Sequence, residues 1–162
     1  MADPVAVVNA SPLILLGKAD LLHLLRVAGP DLAVPQAVFD EIAIPSDQLV
    51  VQRVAAASSF LAVVPTPPVP AAILHWDLGP GESAVLAYAL AHGPAEAILD
   101  DLAARRCAAA LELPYRGTLG LVLVAKQRGL IPAARPIVLQ LVRCGMYLSP
   151  SVIDAALRRV GE

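Results

Sequence analysis

Apolar residues in this chain fall into short unbroken runs separated by longer stretches with helical spacing. VAVVN (5–9) reads as a short buried strand. Ser11 then offers an N-cap, with Pro12 at the first helical position. Leu13, Leu16, Asp20 and Leu24 trace the helix onward, and Leu21, Leu22 and Leu25 widen its apolar face until Gly29-Pro30 ends it. DLAVP (31–35) is a second strand, and Pro35 starts a short helix, QAVFDEI. Ser46-Asp47 begins another helix, running to about Ser59, and LAVV (61–64) is a third strand. PTPPVP (65–70) is a stiff loop and not a domain linker, because strong patterns continue on both sides. After AAILHW and the turn DLGPG, a helix is predicted over 82–92. AEAILDD (95–101) contains a strand that ends on paired aspartates, followed by the helix LAARRCAAALEL. LPYRGT reads as an extended link. LGLVLVAKQRG and ARPIVLQLVRCG are two more helices, stopped by Gly129 and Gly145; MYLSP and SPSVIDAALRRVGE complete the chain. No internal repeat is visible.

Strand then helix, repeated, with uniformly apolar strands, predicts an α/β fold with a mainly parallel sheet. Sites in such sheets lie outside the carboxyl ends of the strands. The 162 residues suit one domain over 1–162, with the helices from about 117 in the same unit. That length can bury a core without covalent staples. The hydrophobic share is 57% and the mean hydropathy is +0.68. Even so, no apolar run reaches the roughly 18 residues of a membrane span. MADPVAVV shows no basic region and no cleavage pattern, so no secretory signal is expected. Cys107 and Cys144 lie in helical patterns without metal-type spacing, and reduced thiols in a cytoplasmic protein are expected. A net charge of −2 lacks the basic footprint of a nucleic-acid coat protein. It leaves room for a nuclease whose acidic site takes cations.

The acids are few and their positions are informative. Asn9 ends the first strand, and Glu41 lies a few residues beyond the second. Glu82 begins a helix after a glycine turn, and Asp100 and Asp101 end the later strand. Each has a plain structural explanation. Glu82 favours a helix N-terminus through the dipole. Asp100 or Asp101 can cap a helix. Glu41 can be a solvated helix residue, and Asn9 can satisfy a turn. Convergence of several at strand ends is harder to explain that way. Crowded carboxylates resist ionisation unless a cation neutralises them, and hard oxygen ligands suit Mg2+ or Mn2+. The histidines, His23, His75 and His92, lack a metal-ligand partner in sequence and read as structural or surface residues. GPG (79–81) is too short for a phosphate loop. GTLG (117–120) lacks the lysine of a P-loop, and there is no GxSxG element.

Taken in order, VVNASPLILL, VPQAVFDEI, LGPGESAVLAYAL, AILDDLAARRCAAALELPYRGTLGLVLVAKQRGLIP and MYLSPSVIDAALRRVGE span nearly the whole chain. Together they resemble PIN-domain proteins, in particular the DUF3368 branch of nucleic-acid-binding PIN proteins. The resemblance implies a Rossmann-like three-layer α/β/α domain with a short parallel sheet. It also implies a Mg2+- or Mn2+-dependent ribonuclease, often the toxin of a toxin–antitoxin pair and frequently a homodimer. Asn9 stands where the first PIN aspartate is usual, and Ser11 matches the hydroxyl residue two positions on. Glu41 and Glu82 match the next two acids. Asp100 and Asp101 cover the last acidic position, with Asp101 slightly preferred. An amide at Asn9 can accept a metal bond but removes one central negative charge.

The implied mechanism is hydrolysis of single-stranded RNA by metal-activated water. Glu41, Glu82 and the Asp100/Asp101 pair hold the ion, Asn9 orients it or its water, and Ser11 contacts the phosphate or a ligand. Lys18, Arg105, Arg106, Arg116 and Lys126 are candidate phosphate contacts, against the plain alternative of surface helix charge. The apolar excess also predicts a homodimer. Two other readings stay open. One is a PIN-fold module that grips RNA or a protein but cleaves poorly. The other is an interaction protein whose apolar helices bind an antitoxin-like peptide. No membrane association is expected.

Overall fold

A computed structural model describes residues 5–44, 48–93 and 95–162. Its core is a five-stranded, all-parallel sheet built from β1 (Ala6–Val8), β2 (Leu32–Pro35), β3 (Leu61–Val64), β4 (Glu96–Ile98) and β5 (Tyr115–Arg116), in the order β3-β2-β1-β4-β5. Helices flank it in a three-layer α/β/α arrangement. β1 pairs with β2 on one side (Val7 opposite Ala33) and β4 on the other (Val7 opposite Ala97). The chain thus winds outward from β1 in one direction, then returns and winds outward in the other. The change of direction opens a crevice at the carboxyl ends of β1 and β4. β1 and β2 are buried at every residue, as inner strands covered on both faces must be.

The helices are α1 (Ala10–Lys18), α2 (Gln36–Ile42), α3 (Gln48–Ala56), the single turn α4 (Ala71–Leu74), α5 (Pro80–Ala91), α6 (Leu102–Ala110), α7 (Thr118–Gln127), α8 (Arg135–Arg143) and α9 (Pro150–Arg158). α5 is buried on nearly every side and packs against β1, β2, β4, α2 and α6. Its all-round apolar sequence is that of a central helix. Cys107 is buried, which pushes its thiol upward from the ordinary value; Cys144 is half-buried, and both are free thiols.

Several expectations are corrected. The first helix does not continue to residue 25. It stops at Lys18, and Leu22–Val27 form a separate 3-10 helix. Asp20 takes a left-handed φ of 59°. Behind it, Leu21 N–H reaches back to Leu16 O (2.7 Å) and Asp20 N–H to Gly17 O (3.3 Å). This is the Schellman stop usually made by glycine, and an aspartate tolerates the same conformation. Ser11 is not the N-cap. Asn9 takes that position, and its side chain makes no capping bond. LPYRGT is more than a link, because Tyr115 and Arg116 form an edge strand on β4. α5 begins two residues early, with Pro80 first, so Glu82 is its third residue. The start at Ser46-Asp47 lies outside the described residues. The glycine stops hold: Gly129 (φ 71°) follows α7 and Gly145 (φ 112°) follows α8.

Candidate active site

Asn9 leaves the end of β1 with its backbone fixed, its N–H donating to Ile98 O (3.1 Å). Its side chain is enclosed, with 1% of the residue exposed. Nδ2 donates to Glu82 Oε1 (3.3 Å), whereas Oδ1 is buried with no hydrogen-bond partner. Burying an acceptor unpaired costs about 1–3 kcal/mol, so the place of Oδ1 calls for a ligand. Glu82 sits in the first turn of α5, where the dipole favours an anion. Glu41 comes from the last turn of α2, which packs on α5. Gly81 marks where they meet: a Cβ there would collide with Glu41 Oε2 and lie 3.1 Å from Asn9 Oδ1. Glu41 as a whole is exposed, yet its carboxylate reaches in to this point. Partial burial, and then the charge on Glu82, raise its pKa from the ordinary value.

A second group forms beyond β4. Asp100 Oδ1 accepts from Thr118 N–H and its Oδ2 from Thr118 Oγ1, both at 2.7 Å. Ser11 Oγ lies 3.5 Å from the same Oδ2. Thr118 is fully buried at the start of α7, so Asp100 is held by an anchor that cannot swing away. Asp101 has a different task. It is the N-cap of α6, and its Oδ2 accepts from Ala104 N–H (2.8 Å). Of the paired aspartates, Asp100 is the one beside Ser11.

An open groove of about 1040 Å3 runs past Ser11, Glu82, Asp100, Asp101, Arg105 and Arg116. The acids are thus divided: Asn9, Glu41 and Glu82 around Gly81, and Asp100 with Ser11 and Thr118. Among the described residues no three Asp, Glu, His or Cys side chains gather as a ready-made metal cluster. The donors are nevertheless of the right kind for a hard divalent cation, with an unpartnered amide oxygen beside two carboxylates.

The candidate cations are spread more widely. Arg105 and Arg116 line the groove, and Arg116 pairs with Glu96 at 2.8 Å. Lys18 lies at the opposite end of α1 from Ser11. Lys126 donates to Pro132 O, and Arg106 is exposed on α6. His23 and His75 are exposed, and His92 stacks on Tyr88 with ring centroids 4.1 Å apart. Gly81 and Thr118 were not singled out by sequence reasoning. They lie in GPG (79–81) and GTLG (117–120), strings whose glycines suggest only a phosphate loop.

A protein-family model described as DUF3368: PIN domain matches residues 5–162. No curated protein and no solved structure matches the chain. No helix among the described residues is long and apolar enough to cross a membrane.

Proposed function

The chain belongs to the DUF3368 family of PIN domains, a nuclease-type fold, and from that premise we propose that it is a metal-dependent ribonuclease acting on single-stranded RNA. One observation supports this most directly: the buried, unpartnered Oδ1 of Asn9 facing the same point as Glu41. Mg2+ or Mn2+ is the class of ion such donors take. When bound, it supplies an activated water and offsets charge building on the phosphodiester. Glu41 and Glu82 would hold it, with Asn9 Oδ1 as a neutral ligand and Asp100 contributing from the β4 side. Thr118 fixes the carboxylate plane of Asp100, and Ser11 supplies a hydroxyl to it or to the phosphate. Asp101 sets the start of α6, which carries Arg105 into the groove for the RNA backbone. The same reading includes a cytoplasmic toxin with a cognate antitoxin, acting as a homodimer.

The test is titration of Mn2+ by calorimetry alongside cleavage of a labelled single-stranded RNA, for wild type and Asn9→Asp. In the wild type Asn9 donates to Glu82; the substitution replaces that bond with a second negative charge. The metal-free variant should therefore melt lower than wild type. Its affinity for Mn2+ should rise by the order of one to a few kcal/mol, and cleavage should rise with it. Unchanged affinity and rate in a folded variant would remove Asn9 from the metal site. RNA binding without metal-dependent cleavage in either protein would instead favour a binding module, a reading that the division of the acids into two groups also supports.

A further inference from the structure

We propose that the far wall of the groove is a nucleotide subsite, in which Tyr147 stacks on a nucleobase and Arg105 meets the adjacent phosphate. The occupant's identity as single-stranded RNA rests on the nuclease reading; the subsite goes beyond it. From Asp100 the groove continues past Arg105 and Tyr115 to the loop before α9, and then along α9 itself. Val152, Ala155, Ala156 and Arg159 line it at i, i+3, i+4 and i+7, one face of that helix.

The chain has three tyrosines, and two of them are here. The third, Tyr88, is buried, whereas Tyr147 is 97% exposed. Its backbone is nonetheless pinned on both sides. Met146 N–H closes the end of α8 on Leu141 O (3.0 Å), and Ser149 caps α9 by accepting from Val152 N–H (3.3 Å). A ring on a pinned backbone, with both faces in water, is a stacking platform, because every base offers a π-face.

Charge supports the same occupant. Arg116 is neutralised by Glu96, but neither Arg105 nor Arg159 has an acidic partner among the described residues. The Arg105 guanidinium lies over the Tyr115 ring, 5.5 Å from its centroid, and its Nε has no hydrogen-bond partner. With its Nε buried and a ring as its side-chain partner, this guanidinium keeps its terminal N–H groups for a phosphate. Alternating aromatic and arginine side chains beside an acidic pocket match a strand whose bases are unpaired; a duplex would hide them.

The experiment measures binding of a short fluorescein-labelled single-stranded RNA in EDTA, so that no cleavage intervenes. Tyr147→Ala should weaken binding roughly five- to a hundredfold, and Tyr147→Phe should retain it. Tyr147 is fully exposed, so both variants should keep the wild-type melting temperature. Abasic nucleotides placed along the RNA in turn should include one position that weakens wild type but not Tyr147→Ala. Arg105→Gln should lower the salt dependence by about one phosphate contact. The subsite is overturned if Tyr147→Ala binds as wild type does, if no abasic position distinguishes the two, or if duplex RNA competes as well as single strand. Metal-dependent cleavage that persists in that event leaves the nuclease reading standing. Wild type that neither binds nor cleaves RNA removes both.

Discussion

Glu41 holds its proton to higher pH than a free glutamate, whose ordinary value is 4.5. The folded state therefore binds more protons than the unfolded state above that value. The stability this supplies at low pH is lost as pH rises through the folded pKa. Metal-free Glu41→Gln should consequently melt higher than wild type at pH 7, with the gap closing below about pH 4.5. Mn2+ should stabilise wild type but not the variant, as thermal melts with and without EDTA would show. Glu162 has the opposite sign: Ala134 and Arg135 N–H groups donate to its carboxylate and lower its pKa. Its contribution is present at neutral pH and lost as pH falls through the folded value, so Glu162→Gln should melt lower than wild type only above that window. Thr118→Val keeps the buried volume but removes the 2.7 Å hydroxyl bond to Asp100. A bond to a charged group is worth about 1.5–3 kcal/mol; urea denaturation should show a loss of that order, and Thr118→Ser should recover most of it. Polar residues at strand ends were legible in the sequence as candidates because strand ends are where α/β sites form. Thr118 was not, because its part depends on a distance across 18 residues that no local pattern encodes.

At the scale of elements, strands and helices were legible wherever a periodic run was long enough. They blurred where a single residue acted out of type. Asp20 and Glu112 both take the left-handed conformation at helix ends, with φ of 59° and 57°. Without glycine as a marker, α1 and α6 read as longer than they are. β5 escaped because two residues cannot show alternation; its pairing comes from β4. The start of α5 keeps a glycine where helix propensity alone favours alanine. Alanine is favoured over glycine in a helix by about 1 kcal/mol, yet Gly81 leaves the space that Glu41 Oε2 occupies. Gly81→Ala should leave the fold intact, since the Glu41 side chain can swing outward. It should weaken Mn2+ binding by roughly tenfold or more in calorimetry.

At the scale of the molecule, Leu102, Leu130 and Leu139 remain exposed at 59%, 63% and 42%. Sedimentation at micromolar concentration should give a homodimer, and a monomer at high micromolar concentration would count against one. The sheet order has a consequence for the making of the protein. Asn9, Ser11 and Glu41 precede β3, Glu82 lies on the α5 connection that returns across β1, and Asp100 and Thr118 follow β4. Asn9 finds Glu82 across 73 residues and Ser11 finds Asp100 across 89. A ribosome adds about 5–20 residues per second, so several seconds separate the appearance of the first of these side chains from the last. During that time the nascent chain carries half of an acidic pocket beside the messenger RNA that encodes it. Under the ribonuclease reading proposed above, the polypeptide could not cut its own template until its second half had left the exit tunnel and taken its place against the first.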